Sequence, residues 1–452
     1  MSDLRAYILC RFADSSGVYT SWMDESPLPC TVVDEFLPDW DVPDDAGILI
    51  THMHYRWEEL HTLRKIHEQN QIPILILSDG ILEYRNTWEH PELVDGSIFQ
   101  PLFGHKLACI GRAQARVVES WGNAGRCEVV GLPRLDVINA NHIRPVNDSG
   151  PFRILVATAN TPAFDDHQRE TVVRSLGELK RWFEENAELA ADAAMGRSAR
   201  PIEIIWRLSD GLDAELELGE PVDLENDDRP PIGEVIEKVD AVITTQSTMY
   251  LESVLRGRPT AILDFHNSPA YLTAAWTINS AEPLSRVISE LACPPVHKMQ
   301  FQQFVLQDQL ECQTAAKPRL LDLISSMVEA GKLARAKREP IELAARILID
   351  SKYGLTAIPD GFALESLYPN DKAMQFQDVD RLKIELAAAI KRLEQMPCEL
   401  AEKNRYIAQL NRMLDRSRDR VEEMHNRVVA IRERFGVEPA KPQVEGRDIG
   451  DQ

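Results

Sequence analysis

Two continuous apolar runs, Gly47–Thr51 and Ile72–Leu77, bracket a segment with helical spacing, Trp57–Gln69. Leu60, Leu63 and Ile66 fall on one side of that segment. A run that is apolar at every position suits a strand buried on both faces, as parallel strands are. Strand, helix and strand in that order make a βαβ unit, and the unit constrains the chain to an open, mainly parallel sheet. The pattern continues with a strand at Leu107–Ile110, a helix at Ala113–Trp121 and a strand at Cys127–Val130, and Gly131-Leu132-Pro133 breaks it.

Residues 141–151 carry two prolines, a glycine and small polar residues, the composition of a linker. The alternation then restarts. Phe152–Ala157 reads as a strand, Gln168–Asn186 as a helix and Ile202–Trp206 as a strand. An acidic, proline-containing loop at Leu212–Pro231 leads to a short helix, Ile232–Lys238, and to strands at Ala241–Thr244 and Thr260–Asp264. The fold class is therefore α/β with two Rossmann-like halves, residues 1–145 and 150–355, the second with a mostly helical extension from Ser285 to about Tyr353.

The tail has a different period. Leu386, Leu393, Leu400, Ile407, Leu414, Val421 and Val428 recur every seventh residue, with Ala389, Met396, Leu410, Met424 and Ile431 three positions on. Lys403 and Ser417 interrupt the second set, and Pro397 should kink or end a helix. This heptad seam over residues 375–435 predicts a coiled coil and a homo-oligomer formed through it. A long solvated helix would leave a similar pattern.

Net charge is −22, which argues against a general nucleic-acid partner, because phosphate backbones need compensating Lys and Arg. Seven cysteines without a Cys-x-x-Cys pair predict free thiols in a reducing compartment and no zinc site. The start of the chain lacks a basic region followed by a long apolar one, and no stretch approaches the ~20 apolar residues of a membrane span. A cytoplasmic location is expected, with a peripheral place at the inner face of the membrane left open.

No P-loop, Gly-x-Gly-x-x-Gly, His-Glu-x-x-His or Gly-x-Ser-x-Gly motif occurs. Their absence argues against a P-loop enzyme, a typical dehydrogenase, a zinc protease and a serine hydrolase, and the remaining candidates are polar residues at strand ends, where open α/β sheets bind ligands. In "TTQSTMYLESVLRGRPTAILDF", residues 244–265, a strand ends near Thr244 and a helix begins near Met249. Ser247 is placed to cap it. Ser247 and Thr248 beside the first helical turn could hold a phosphate, and Glu252, a turn further in, could accept from ribose hydroxyls. A capped helix with a solvent-exposed Glu would look the same. "ATANTPAFDD" puts Asn160 and Thr161 past another strand, and "IIWRLSD" ends a third with Arg207, which could meet a phosphate. In the first half, "LILSDGILEYRNTW" offers Asp79, Glu83 and Arg85, and "ILITHMHYRW" offers His52 and His54. Asp79, Glu83, His52 and His54 are the candidates for a general base; a plain turn at Asp79-Gly80 and satisfied histidines are the structural alternatives. In "CEVVGLPRLD", Arg134 could reach an interdomain cleft or simply pair with Asp136.

Two of these windows, "VGLPRLD" at 130–136 and "DAVITTQSTMYLESVLRGRPTAIL" at 240–263, carry a resemblance. The chain is similar to GT-B-type sugar-nucleotide enzymes, in particular bacterial surface-polysaccharide glycosyltransferases and CDP-glycerol glycerophosphotransferases. The resemblance covers about residues 45–280. It implies two Rossmann-like domains facing a cleft, acceptor on the first and donor on the second. Ser247 and Thr248 would meet the donor phosphates, Glu252 the ribose, and Arg207 the diphosphate. It implies a nucleotide-sugar substrate, a glycan or lipid-linked acceptor, and no metal or other cofactor. The chain departs from the pattern at Asp79-Gly80, where many relatives have His-Gly. An Asp can serve as base, so glycosyl transfer is the leading expectation. Glycerophosphate transfer, sugar-nucleotide epimerisation and a non-catalytic scaffold working through its coiled coil are the alternatives.

Overall fold

A computed structural model describes residues 4–10, 17–33, 40–52, 54–55, 57–93, 98–100, 102–138, 150–189, 200–218, 230–353, 403–405, 407–427 and 429. Residues 1–356 hold one compact unit and residues 357–452 a second.

The first unit is built on two six-stranded sheets. The first comprises β1 (Arg5–Leu9), β2 (Cys30–Val33), β3 (Ala46–Thr51), β4 (Ile74–Leu77), β5 (Lys106–Cys109) and β6 (Cys127–Val129). All its neighbours pair in parallel, in the order β2-β1-β3-β4-β5-β6. The second comprises β7 (Phe152–Ala157), β8 (Glu188–Leu189), β9 (Arg200–Arg207), β10 (Ala241–Thr244), β11 (Thr260–Leu263) and β12 (Trp276–Ile278), in the order β12-β11-β10-β7-β9-β8. Only the β8–β9 edge pair is antiparallel there.

The expected helices at Trp57–Gln69 and Ile232–Lys238 are found with those bounds. The helix expected at Ala113–Trp121 runs instead from Arg112 to Val118. The chain then widens into a single wide turn, Glu119–Asn123, in which Gly122 has a φ of +92° that cannot continue a helix. The linker expected at 141–151 lies outside the described residues up to 149. The coiled coil expected over 375–435 lies mostly outside them too, with a helix described within 403–429.

Alternation along the strands sorts the first sheet's core into two layers. Tyr7, Leu9, Leu49, Ile74 and Ile76 face Leu63 and Ile66 of the helix Trp57–Gln69. Ala6, Ile8, Ile48, Ile50 and Leu75 face the other way, against Leu320, Leu323, Ile324 and Met327. Those four belong to the helix Ala316–Lys337, from the far end of the unit. The helical extension therefore returns to complete the first sheet's core.

Two devices fix that return. Asp136 accepts from the N–H groups of Ala316 (2.7 Å) and Lys317 (2.8 Å), satisfying orphan donors at the helix start. Lys106, fully buried, donates to Glu128 (2.7 Å) and to the carbonyls of Ala344 and Ala345, while Glu128 accepts from Ile347 N–H (2.8 Å). A buried ion pair is tolerable when its remaining hydrogen-bonding capacity is filled in this way.

Candidate functional site

Each sheet has one place where strand order reverses, and a crevice opens there past the strand ends. In the first sheet it lies between β1 and β3. Thr51, buried at the end of β3, donates its hydroxyl to Leu9 O. His52 follows, half-buried, with Nδ1 2.7 Å from the hydroxyl of Tyr19. Burial raises the Tyr19 phenol well above its ordinary pKa, so it keeps its proton.

In the second sheet the reversal lies between β7 and β10. Thr245 Oγ1 accepts from Ala159 N–H (2.8 Å), and Thr158 Oγ1 accepts from Ser209 N–H (2.9 Å). These hydroxyls stitch the ends of β7, β9 and β10 into one rim. Asn160 and Thr161 are exposed on it. Arg207 ends β9 and donates to Pro230 O.

The helix after β10 begins at Met249, as the sequence predicts, but Ser247 does not cap it. Thr248 occupies the capping position with helical φ and ψ, and no side chain caps the turn. The Ser247 hydroxyl sits instead 3.2 Å from Thr244 Oγ1. Thr248 Oγ1 crosses to the first domain and accepts from Ile81 N–H at 3.2 Å. Gly80 lies so close that a Cβ there would be 2.1 Å from that oxygen.

Arg134 also crosses. Its guanidinium stands 3.7 Å from the carboxylate of Glu252, which Arg256 approaches to 3.8 Å. Arg134 thus reaches the cleft, while Asp136 is spent on the helix cap. Gly131 explains the glycine of that motif. Its φ is +95°, and a Cβ would lie 2.6 Å from Glu311 O and 3.0 Å from Arg319 Nη2. Arg319 is fully buried and donates to Val130 O at 2.8 Å.

Asp79 is exposed at the end of β4 and lines a pocket with Ser78, Gly131, Arg134 and Trp22. The room inside is ≈ 20 Å³, enough for about one water. Glu83 is differently placed. It is buried, accepts from Asn86 N–H (2.8 Å) as the cap of the short helix Tyr84–Trp88, and pairs with Arg85 at 2.7 Å. Its carboxylate is fully engaged in holding structure. His54 is buried against Phe99 and Tyr55, with Nε2 on Ile98 O. Burial lowers its pKa to about 4, so it is neutral and walled off from the cleft. Both His52 and His54 lie beyond the last residue of β3.

Sequence reasoning gave Arg85 no defined role, and it bridges the two domains. It donates to Glu83, to Pro162 O (3.0 Å) and to His266 Nε2 (2.8 Å). Since Arg is always protonated, Nε2 of His266 must accept. Burial, then the Arg85 charge, lowers His266 to about 4. The backbone N–H of His266 donates to Asp264 Oδ1, and Asp264 Oδ2 accepts from Gln246. Trp88 Nε1 donates to Tyr271 OH (2.7 Å), and Gln168 Nε2 to Glu89 (2.9 Å), further along the same seam. Among the described residues no group of three or more His, Cys, Asp or Glu is placed to hold a metal ion. No described helix is long and apolar enough to cross a membrane.

Two Rossmann-like sheets in series, with strand-end loops meeting across a cleft, make this a GT-B-type architecture. Among solved structures the chain is similar to S. aureus MnaA in complex with UDP, at 12% identity and a TM-score of 0.48, covering 75% of this chain and 100% of that one. A putative UDP-N-acetylglucosamine 2-epimerase from Listeria monocytogenes follows at 12% identity and 0.46, covering 73% and 97%. The wall teichoic acid polymerase TagF, in a variant soaked with CDPG, is similar at 12% identity and 0.42, covering 73% and 90%. No protein-family model and no curated protein matches the chain.

Proposed function

We propose that the protein is a glycosyltransferase that moves a sugar from a nucleotide-sugar donor to an acceptor hydroxyl in bacterial surface polysaccharide or glycan synthesis. The observation that carries this reading is the approach of Arg134 to Glu252 across the cleft. It puts a cation from the first domain beside the carboxylate expected to take the ribose. Thr248 and Ser247 stand on the same rim for the phosphates, with Asn160, Thr161 and Arg207 at its other strand ends. Positive groups there would stabilise the departing diphosphate.

Asp79 is the proposed base. It is the exposed carboxylate in the pocket, on the side where the acceptor would lie, and a base must be within hydrogen-bond reach of the hydroxyl it deprotonates. His52, oriented by Tyr19, is the second candidate. The pocket beside Asp79, ≈ 20 Å³, is lined by first-domain residues and Leu320.

A thermal-shift screen against nucleoside diphosphates, UDP- and CDP-sugars and CDP-glycerol tests the reading, followed by mass analysis of products. Stabilisation by a nucleotide, lost in Glu252→Ala, is expected. Failure of every nucleotide to stabilise the protein would favour the non-catalytic scaffold. An unchanged donor mass would make it an epimerase, and a product heavier by a glycerophosphate would make it a glycerophosphotransferase.

A further inference from the structure

Asp79 is exposed between two buried neighbours, Ser78 and Gly80. A carboxylate serves as base only within hydrogen-bond reach of the hydroxyl it deprotonates. Whatever fixes Ser78 and Gly80 therefore fixes where that carboxylate stands.

One side chain grips both. Gln114, on the helix Arg112–Val118, is only 3% exposed. Its Nε2 donates to Ser78 Oγ at 2.7 Å and to Gly80 O at 3.2 Å, so both amide hydrogens are used. Its Oε1 accepts from Ile110 N–H at 2.8 Å, just past the end of β5. The Ser78 hydroxyl closes the triangle by donating to Gly80 O at 3.1 Å. Ser78 N–H is tied to Ala108 O, also at 3.1 Å. An apolar side chain of similar size would fill this site without the cost of burying an amide, so packing alone does not call for glutamine.

The turn has one further support, the bond from Ile81 N–H to Thr248 Oγ1. That bond crosses between the domains and lasts only while they touch there. The Gln114 grip lies wholly within the first domain and does not depend on that contact.

We propose that Gln114 is a positioning residue: through Ser78 and Gly80 it sets where the Asp79 carboxylate stands. The inference rests on the reading of Asp79 as the base.

The test uses the full chain and a panel of UDP- and CDP-sugars, with water in place of the acceptor hydroxyl. The bond from the anomeric carbon to the diphosphate oxygen breaks, and the diphosphate leaves with the electron pair. The water oxygen bonds to that carbon, and Asp79 takes the proton. Release of UDP or CDP is measured. Gln114→Leu should lower kcat about tenfold to a hundredfold, the cost of misplacing a reacting group by about 1 Å, and leave the donor KM unchanged. Ser78→Ala keeps Gln114 on Gly80 O and should lose less; it carries the test if the leucine variant does not fold. Adding Gln114→Leu to Asp79→Asn should lower the background rate no further, because a residue that acts through another then has nothing to act on. Wild-type kcat in Gln114→Leu and Ser78→Ala overturns the proposal. So does an equal fold-loss from Gln114→Leu with and without Asp79, the mark of a merely structural role. Full rate in Asp79→Asn, or no release from any donor by the wild type, sinks the assignment of the base itself and this inference with it.

Discussion

Replacing Gly80 with alanine should strain the seam between the two domains at a single atom. The added Cβ would lie 2.1 Å from Thr248 Oγ1, well inside contact distance, while the next nearest atom, Thr248 Cβ, is 3.4 Å away. Thr248 must rotate or the domains must shift, and Ile81 N–H loses its acceptor. Overpacking of this kind costs about 1–3 kcal/mol, and the lost hydrogen bond about 0.5–1.5 kcal/mol. Thr248→Ala alone costs only the hydrogen bond. In that background the clash disappears, because the offending oxygen is gone. Gly80 is not among the glycines with positive φ, so alanine then fits without backbone strain. The double variant should be no less stable than Thr248→Ala, giving a coupling energy of about 2 kcal/mol or more. Urea unfolding of the four proteins measures it. Additive effects, within about 0.5 kcal/mol, would refute the claim that Gly80 is glycine to admit Thr248.

Asp79→Asn should abolish turnover and leave nucleotide binding by calorimetry unchanged; normal turnover would move the base elsewhere. Gly131→Ala meets both a φ of +95° and Glu311 O at 2.6 Å, and should lower stability by about 2–5 kcal/mol in urea. Lys106→Met leaves Glu128 buried beside no cation, and should cost about 3–5 kcal/mol by the same measurement. His266 supplies a pH test. Burial and Arg85 lower its pKa from 6.5 to about 4, with His167 adding to the effect and Glu83 and Asp165 opposing it. A lowered histidine pKa means that the folded protein favours the neutral ring. Its contribution is complete above pH 6.5 and is lost as the pH falls toward 4. Stability measured across that range should fall less steeply in His266→Gln, whose amide oxygen can still accept from Arg85.

The strands and helices most legible in the sequence were those bounded by sharp chemistry. Phe152–Ala157 and Ala241–Thr244 are apolar runs closed by polar strand ends, and both have the predicted bounds. β1, β2 and β12 went unread; in β2 and β12 a threonine breaks an apolar run of four residues or fewer, leaving no continuous pattern to mark a strand. The strand ends on the cleft were legible for the same reason as the strands. Ser247 does not cap the helix because Thr248, with helical φ and ψ, stands at the capping position, an offset of one residue that composition cannot set. The pairing of Arg85 with His266 joins positions 181 residues apart. It depends on how two sheets face each other, which no local pattern encodes.

The return of Ala316–Lys337 to the first sheet has a consequence for the chain as it is made. During synthesis, β1, β3 and β4 emerge early, but the side chains that cover Ile8, Ile48 and Leu75 leave the ribosome more than two hundred residues later. At ~5–20 residues per second, that apolar face waits tens of seconds for these side chains while the second sheet is being translated, with Tyr19 and Trp22 the early-made members of its cluster. A nascent chain stopped before Ala316 would hold that face open indefinitely. The first sheet, though first in sequence, must be among the last parts of the unit to finish folding.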